Sequence, residues 1–64
     1  MEIYKVVNDI DVTHFHKQVN RHLNDGWKVC GGVFVDTDKD GDSHFYQAMT
    51  RELRKGESAE PYLA

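Results

Sequence analysis

The residues whose spacing could support chemistry are four aspartates that alternate with other residues between two apolar segments. They are Asp36, Asp38, Asp40 and Asp42. Alternate carboxylates followed by a glycine are typical of the first half of a calcium-binding loop, where the carboxylates converge on one ion and the glycine permits the turn. Asp36, Asp38 and Asp40 are therefore candidate metal ligands.

The second half of such a loop is missing. Its twelfth position normally holds a bidentate glutamate and is Gln47 here, while its usually apolar eighth position is Ser43. The flanking residues also have the composition of strands. We therefore favour a solvated hairpin tip whose aspartates and glycine supply turn conformations, and weak divalent-cation binding is the alternative.

Four histidines and one cysteine could form a zinc site or a nucleophile with its base. His14 and His16 point to different sides of a helix, and His22 lies two turns from His14, so their spacing does not match a zinc site. Cys30 would need a cleft that holds a histidine beside it, and a cysteine on a strand more often acts as a small hydrophobe. We expect histidines on an exposed helix surface, no enzymatic activity and no cofactor.

The net charge of −3 arises entirely within residues 36–42, since residues 1–35 and 43–64 each sum to zero. Duplex nucleic acid is a poor partner for such a surface because its binding depends on neutralised phosphates. The four aspartates instead form a candidate recognition surface for a basic patch on another protein.

The length of 64 residues predicts one domain with a small core. The single Cys30 cannot form an intrachain disulfide, which favours self-association as the source of additional stability. We find neither a signal-peptide pattern nor an apolar run of about 18 residues, so we expect no membrane insertion and a reducing, cytoplasmic location.

Periodicity and composition predict one helix and three strands. The strands are expected at 3–7, 27–35 and 44–50, and the helix at 12–25. Asp11 is a suitable N-cap, and Gly26 can adopt the left-handed conformation that ends a helix. The apolar helix stripe comprises Val12, Phe15, Val19 and Leu23. We expect Phe15 and Leu23 to face the sheet.

These elements predict an α+β domain over residues 1–52, in which one helix packs on a three-stranded, mainly antiparallel β-α-β-β sheet. Residues 53–64 are expected to form a weakly structured tail, since they include Gly56, Ser58 and Pro61. The strand order stays open at this point. The first two strands could be parallel neighbours, or the third strand could lie between them.

The second predicted strand places apolar groups on both of its faces. Cys30 and Phe34 alternate with the valines that one helix would cover, so they lie on the opposite side of the sheet. Gly31 and Gly32 suggest a bulge, a sharp twist or the close approach of another backbone. Because one helix cannot cover both faces, we expect an oligomer interface formed by Cys30, Phe34, Gly31 and Gly32.

Several short motifs together resemble a known family. They are YKVV at 4–7, Val19-Asn20 followed by Leu23, Gly26-Trp27, Gly31-Gly32-Val33 and YQAM at 46–49. Over residues 3–52 this combination resembles the domain of unknown function catalogued as number 1737, found in bacteria and bacteriophages. The resemblance implies a small accessory protein and supplies no catalytic residues, cofactor or substrate.

The resulting functional hypothesis is a homo-oligomeric module that binds another protein and modulates it. The alternative is a binder that sequesters a small metabolite, a nucleotide signal or a divalent cation, with pockets formed between subunits.

Overall fold

A computed structural model describes residues 1–63 of the chain. The elements in chain order are strand β1 (Glu2–Asp9), helix α1 (Val12–Asn24), strand β2 (Lys28–Thr37), strand β3 (Ser43–Glu52) and a 3-10 turn (Glu60–Tyr62). The predicted α+β class and β-α-β-β order are confirmed. Each strand continues two residues beyond its predicted last residue.

The sheet is antiparallel throughout, with the order β1-β3-β2. The hairpin places β3 beside β2, and the long connection through α1 allows β1 to pair with the other side of β3. The third strand therefore lies between the first two, which decides between the two orders that the sequence left open. As a result, β1 and β2 are both edge strands.

Strand β2 is irregular around Gly31 and Gly32, where a bulge was one of the structures expected. Cys30 pairs with Ala48 and Phe34 with Tyr46, so four residue steps on β2 span only two steps on β3. Gly31 has a φ of +76°, which a residue without a Cβ adopts without strain. Because two residues are inserted, the alternation of faces is the same on both sides of the bulge.

Helix α1 begins and ends as its capping residues predict. The Asp11 side chain accepts a hydrogen bond from the His14 backbone N–H at 2.9 Å. Asp25 is the C-cap, and Gly26 follows it with a φ of +91°. These local interactions define the helix independently of its packing.

The helix packs on the sheet through a face that differs from the predicted stripe. Phe15 is 2% exposed, as expected, whereas Leu23 is 43% exposed, so the prediction that Leu23 faces the sheet is wrong. His22 faces the sheet where Leu23 was expected, and the His22 ring lies 6.0 Å from the Trp27 ring. The indole offers this imidazole an edge contact, and rotating the helix toward His22 turns Leu23 into solvent.

The core lies between α1 and the sheet and is small. Its buried hydrophobic residues are Ile3, Val7, Phe15, Trp27 and Met49. Every residue of β2 is exposed, since α1 lies mainly over β1. No helix within residues 1–63 has the length and apolar character needed to cross a membrane.

Residues 53–63, for which the sequence predicts a weakly structured tail, follow a defined path along the core. Leu53 and Tyr62 pack against the buried cluster, and the Tyr62 ring lies 5.8 Å from the Trp27 ring. Beyond Glu52, the 3-10 turn is the only regular element that the structure describes. Ala64 lies outside the described residues.

Candidate functional site

The side of the sheet opposite α1 carries a continuous group of apolar side chains, which we call the outer face. Cross-strand pairing places its members side by side, because directly paired residues share a face. The apolar members of the outer face are Tyr4, Val6, Cys30, Phe34, Tyr46 and Ala48, and the same pairing places the polar residues Asn8, Lys28 and Thr50 on this face. All three strands contribute to it.

Large apolar side chains of the outer face are open to solvent in the single chain. Phe34 is 63% exposed, Tyr4 55% and Val6 48%. The rings of Phe34 and Tyr46 lie 5.8 Å apart on this face. An exposed apolar surface that crosses a whole sheet is typical of an interaction site.

The predicted interface residues occupy or border this surface. Cys30 and Phe34 lie on the outer face, and Gly31 and Gly32 form the irregular segment between them. Sequence reasoning did not place Tyr4 or Val6 of β1 on this particular face. Tyr4 alternates with the buried residue Ile3, and this alternation was a signal that could have identified it.

The hairpin tip is organised by one carboxylate, that of Asp38. Its Oδ1 accepts hydrogen bonds from the backbone N–H groups of Asp40 and Asp42, at 2.9 and 3.0 Å. Its Oδ2 accepts from Nε2 of His44 at 2.8 Å. The His44 hydrogen bond and the two backbone amides lower the pKa of Asp38 below its usual value. The Asp38 carboxylate is therefore engaged in hydrogen bonds within its own loop.

The other three aspartates, Asp36, Asp40 and Asp42, are exposed around this tip. Within residues 1–63, no group of three histidine, cysteine or acidic side chains is close enough to hold a metal ion. Of the four aspartates at the tip, three therefore have exposed carboxylates, while the carboxylate of Asp38 is hydrogen-bonded within the loop. No pattern in the sequence indicated that His44 takes part in this arrangement.

A second histidine–carboxylate pair joins the end of β1 to the start of α1. Asp9 accepts hydrogen bonds from Nδ1 of His14, from the Gln18 amide at 2.7 Å and from the Asp11 backbone at 2.9 Å. The Asp11 backbone hydrogen bond, followed by that of His14, lowers the pKa of Asp9 to about 2. The His14 side chain is 60% exposed, so this contact ties the helix start to the sheet at the surface.

The helix side of the sheet contains an apolar groove between α1 and β2, which we call the helix-side groove. Its volume is about 320 Å³. The residues that line it are Val12, Phe15, His16, Val19, Asn20, Val33, Val35, Phe45 and Gln47. The groove exists because α1 leaves β2 uncovered.

Comparison with known proteins places most of this chain in a described family. The family model described as "Domain of unknown function (DUF1737)" matches residues 1–52. The matched segment ends with the last residue of β3. No curated protein and no solved structure matches the chain significantly.

Proposed function

Because the chain belongs to the DUF1737 family, whose description names no activity, we propose its function from its geometry. It is a small bacterial or phage accessory protein without enzymatic activity. It acts in the cytoplasm as a homo-oligomeric module, most simply a dimer, that binds another protein and modulates it.

The observation that carries this proposal is the uncovered outer face. Phe34 and Tyr4 would be buried if a second copy packed against the same surface. In a two-fold arrangement each copy offers the same patch to the other, so the Phe34–Tyr46 pairs of both copies lie near the axis. Association would shelter apolar area that a domain of this size cannot cover with its single helix.

The acidic tip provides a separate surface for binding the target protein. Asp36, Asp40 and Asp42 are exposed, and the hydrogen bonds of Asp38 hold the loop that carries them. Such a cluster of like charges suits a basic patch on a target protein. Its contribution would be mainly to the association rate and to selectivity.

Sedimentation equilibrium at micromolar concentration tests the oligomer. We expect the wild type to be a dimer or larger and Phe34→Asp to be a monomer, since the new carboxylate would be buried without a partner. Val35→Asp is the matched control, because Val35 is adjacent on β2, is 49% exposed and faces the helix side. A monomeric wild type would refute the proposed oligomer, and so would an oligomer that survives Phe34→Asp.

Capture of a target tests the role of the tip. A protein recovered from a bacterial lysate with the wild type should associate more slowly with a variant in which Asp36, Asp40 and Asp42 are asparagines. Its association rate with the wild type should also fall as salt is added, because exposed charges are screened. An association rate unchanged by the triple substitution would contradict this role.

The alternative function is the sequestering of a small ligand. The helix-side groove is the observation that favours it, and it favours uncharged ligands, since no lysine, arginine, aspartate or glutamate lines the groove. A thermal-shift screen separates the two functions, because a ligand that binds only the folded protein raises its melting temperature.

A further inference from the structure

We propose that the helix-side groove binds a neutral, ring-containing small molecule whose single N–H or O–H group donates a hydrogen bond to Oε1 of Gln47. This site lies on the other side of the sheet from the outer face. It is therefore independent of the proposed oligomer.

The size of the groove suits a small molecule. Its volume of about 320 Å³ is at the lower end of the range for ligand sites. At the ~30 Å³ that one water molecule occupies in the liquid, the groove holds roughly ten water molecules. A single small ring system fits within this space.

The side chain of Gln47 is held in one orientation by the bulge of β2. Its Nε2 donates to the backbone oxygens of Ala48 at 2.9 Å, Gly31 at 3.1 Å and Cys30 at 3.5 Å. Carbonyl oxygens only accept hydrogen bonds, so the amide nitrogen must face them. The amide oxygen is then directed away from these three carbonyls, and Gln47 is one of the residues that line the groove.

This oxygen is an acceptor without a donor. Gln47 is only 4% exposed, and among residues 1–63 no group donates a hydrogen bond to its Oε1. Among residues 1–63 the only fully buried side-chain nitrogen or oxygen without a hydrogen-bond partner is Nε of Arg51, so Oε1 of Gln47 is open to solvent and a ligand donor would replace a water molecule there. The orientation imposed by three carbonyls means that no rearrangement is needed before binding.

The rest of the lining defines the remaining chemistry of the ligand. Phe45 lies beside Gln47 on β3, while Phe15 and Val19 on α1 and Val33 and Val35 on β2 supply apolar contacts. His16 and Asn20 of α1 also line the groove and are its other polar side chains. Val33 and Val35 are 53% and 49% exposed, so a ligand would cover area that is now open to water. A charged ligand would lose its hydration without gaining a counter-charge.

The test uses indole and 1-methylindole, which have nearly the same shape and differ in the N–H group. Each is titrated into uniformly ¹⁵N-labelled protein, and amide chemical shifts are recorded. We expect indole to shift the Gln47 side-chain amide and the amides of Val19 and Val35. We also expect it to bind about threefold to tenfold more tightly than 1-methylindole, the effect of one net hydrogen bond.

Two variants locate the site. Val35→Asp should weaken indole binding by about tenfold or more, because it places a carboxylate on the groove wall. Phe34→Asp, on the outer face, should leave indole binding unchanged even where it dissociates the oligomer. The two variants therefore distinguish a failure of the proposed oligomer from a failure of the proposed ligand binding in the groove.

Three results would overturn the inference. The first is no shift at groove residues up to millimolar indole. The second is equal affinity for the two compounds, which would mean that Oε1 receives no hydrogen bond. The third is binding that survives Val35→Asp or that shifts outer-face residues instead.

Discussion

Arg51 places its guanidinium carbon 4.8 Å from the centre of the Trp27 ring. Both of its terminal nitrogens donate to the carboxylate of Glu57, at 2.7 and 2.8 Å. Lys5 also lies near this indole, with Nζ 5.0 Å from the ring centre. Arg51 is 7% exposed, so its charge needs the bidentate partner, and that partner comes from the segment after β3.

This ion pair predicts a specific acid sensitivity. Hydrogen bonding to Arg51, followed by the Arg54 backbone N–H, lowers the pKa of Glu57 from 4.5 to about 2. A depressed folded-state pKa stabilises the fold above the unfolded value, and this stabilisation is lost as the pH falls from about 5 to 2. Glu57→Gln should therefore have a lower melting temperature than the wild type at pH 7. This difference in melting temperature should disappear as the pH falls from about 5 to 2.

Melting temperatures measured every half pH unit check this expectation. Glu60→Gln is the control, because Glu60 is exposed and makes no ion pair among residues 1–63. A gap between the wild type and Glu57→Gln that stays constant from pH 7 to pH 2 would mean that the Arg51 contact contributes nothing through this carboxylate.

The observed helix facing predicts unequal costs for two truncations. Phe15→Ala should lower the free energy of unfolding by about 3–5 kcal/mol, because Phe15 is 2% exposed in the core. Leu23→Ala should cost less than about 1 kcal/mol, because that side chain is 43% exposed. Urea denaturation of both variants measures the difference. Equal losses would show that Leu23 is buried and that the helix is rotated.

The bulge predicts that two adjacent glycines respond differently to alanine. Gly31 has a φ of +76°, and Gly32 is not among the glycines with positive φ. Neither position has an atom within 4 Å of an added Cβ, so any difference arises from the backbone. Gly31→Ala should cost about 1–2 kcal/mol, and Gly32→Ala should be close to neutral or slightly stabilising. Denaturation curves in which the order is reversed would contradict the conformation of β2.

The hairpin tip predicts a local effect on amide hydrogen exchange. Asp38→Ala removes the acceptor for the backbone N–H groups of Asp40 and Asp42, so the Asp42 amide should exchange faster. Asp40→Ala is the matched control and should leave the Asp42 amide unchanged, since its carboxylate caps no amide in the described chain. If the Asp42 amide exchanges at the wild-type rate in Asp38→Ala, the Asp38 carboxylate does not organise the loop.

The parts of this fold that depend on neighbouring residues were predictable. Asp11 and Gly26 define the helix ends through contacts within a few residues, and alternation in IYKVV identifies β1. The same local patterns were ambiguous about packing. A stripe that continues from Phe15 and Val19 through Leu23 and one that continues through His22 are both compatible with helical spacing. Choosing between them required the position of Trp27, whose ring His22 contacts.

By itself, the sequence determined the family, the α+β class, the element order and the presence of apolar groups on both sides of the sheet. Tertiary structure alone decided the strand order, the extent of the outer face and the role of Gln47. The sequence presents Gln47 as the missing end of a calcium loop, whereas in the fold it holds the bulge of β2. The physical reason is that capping and alternation are local, while strand neighbours and side-chain partners depend on contacts between residues far apart in the chain.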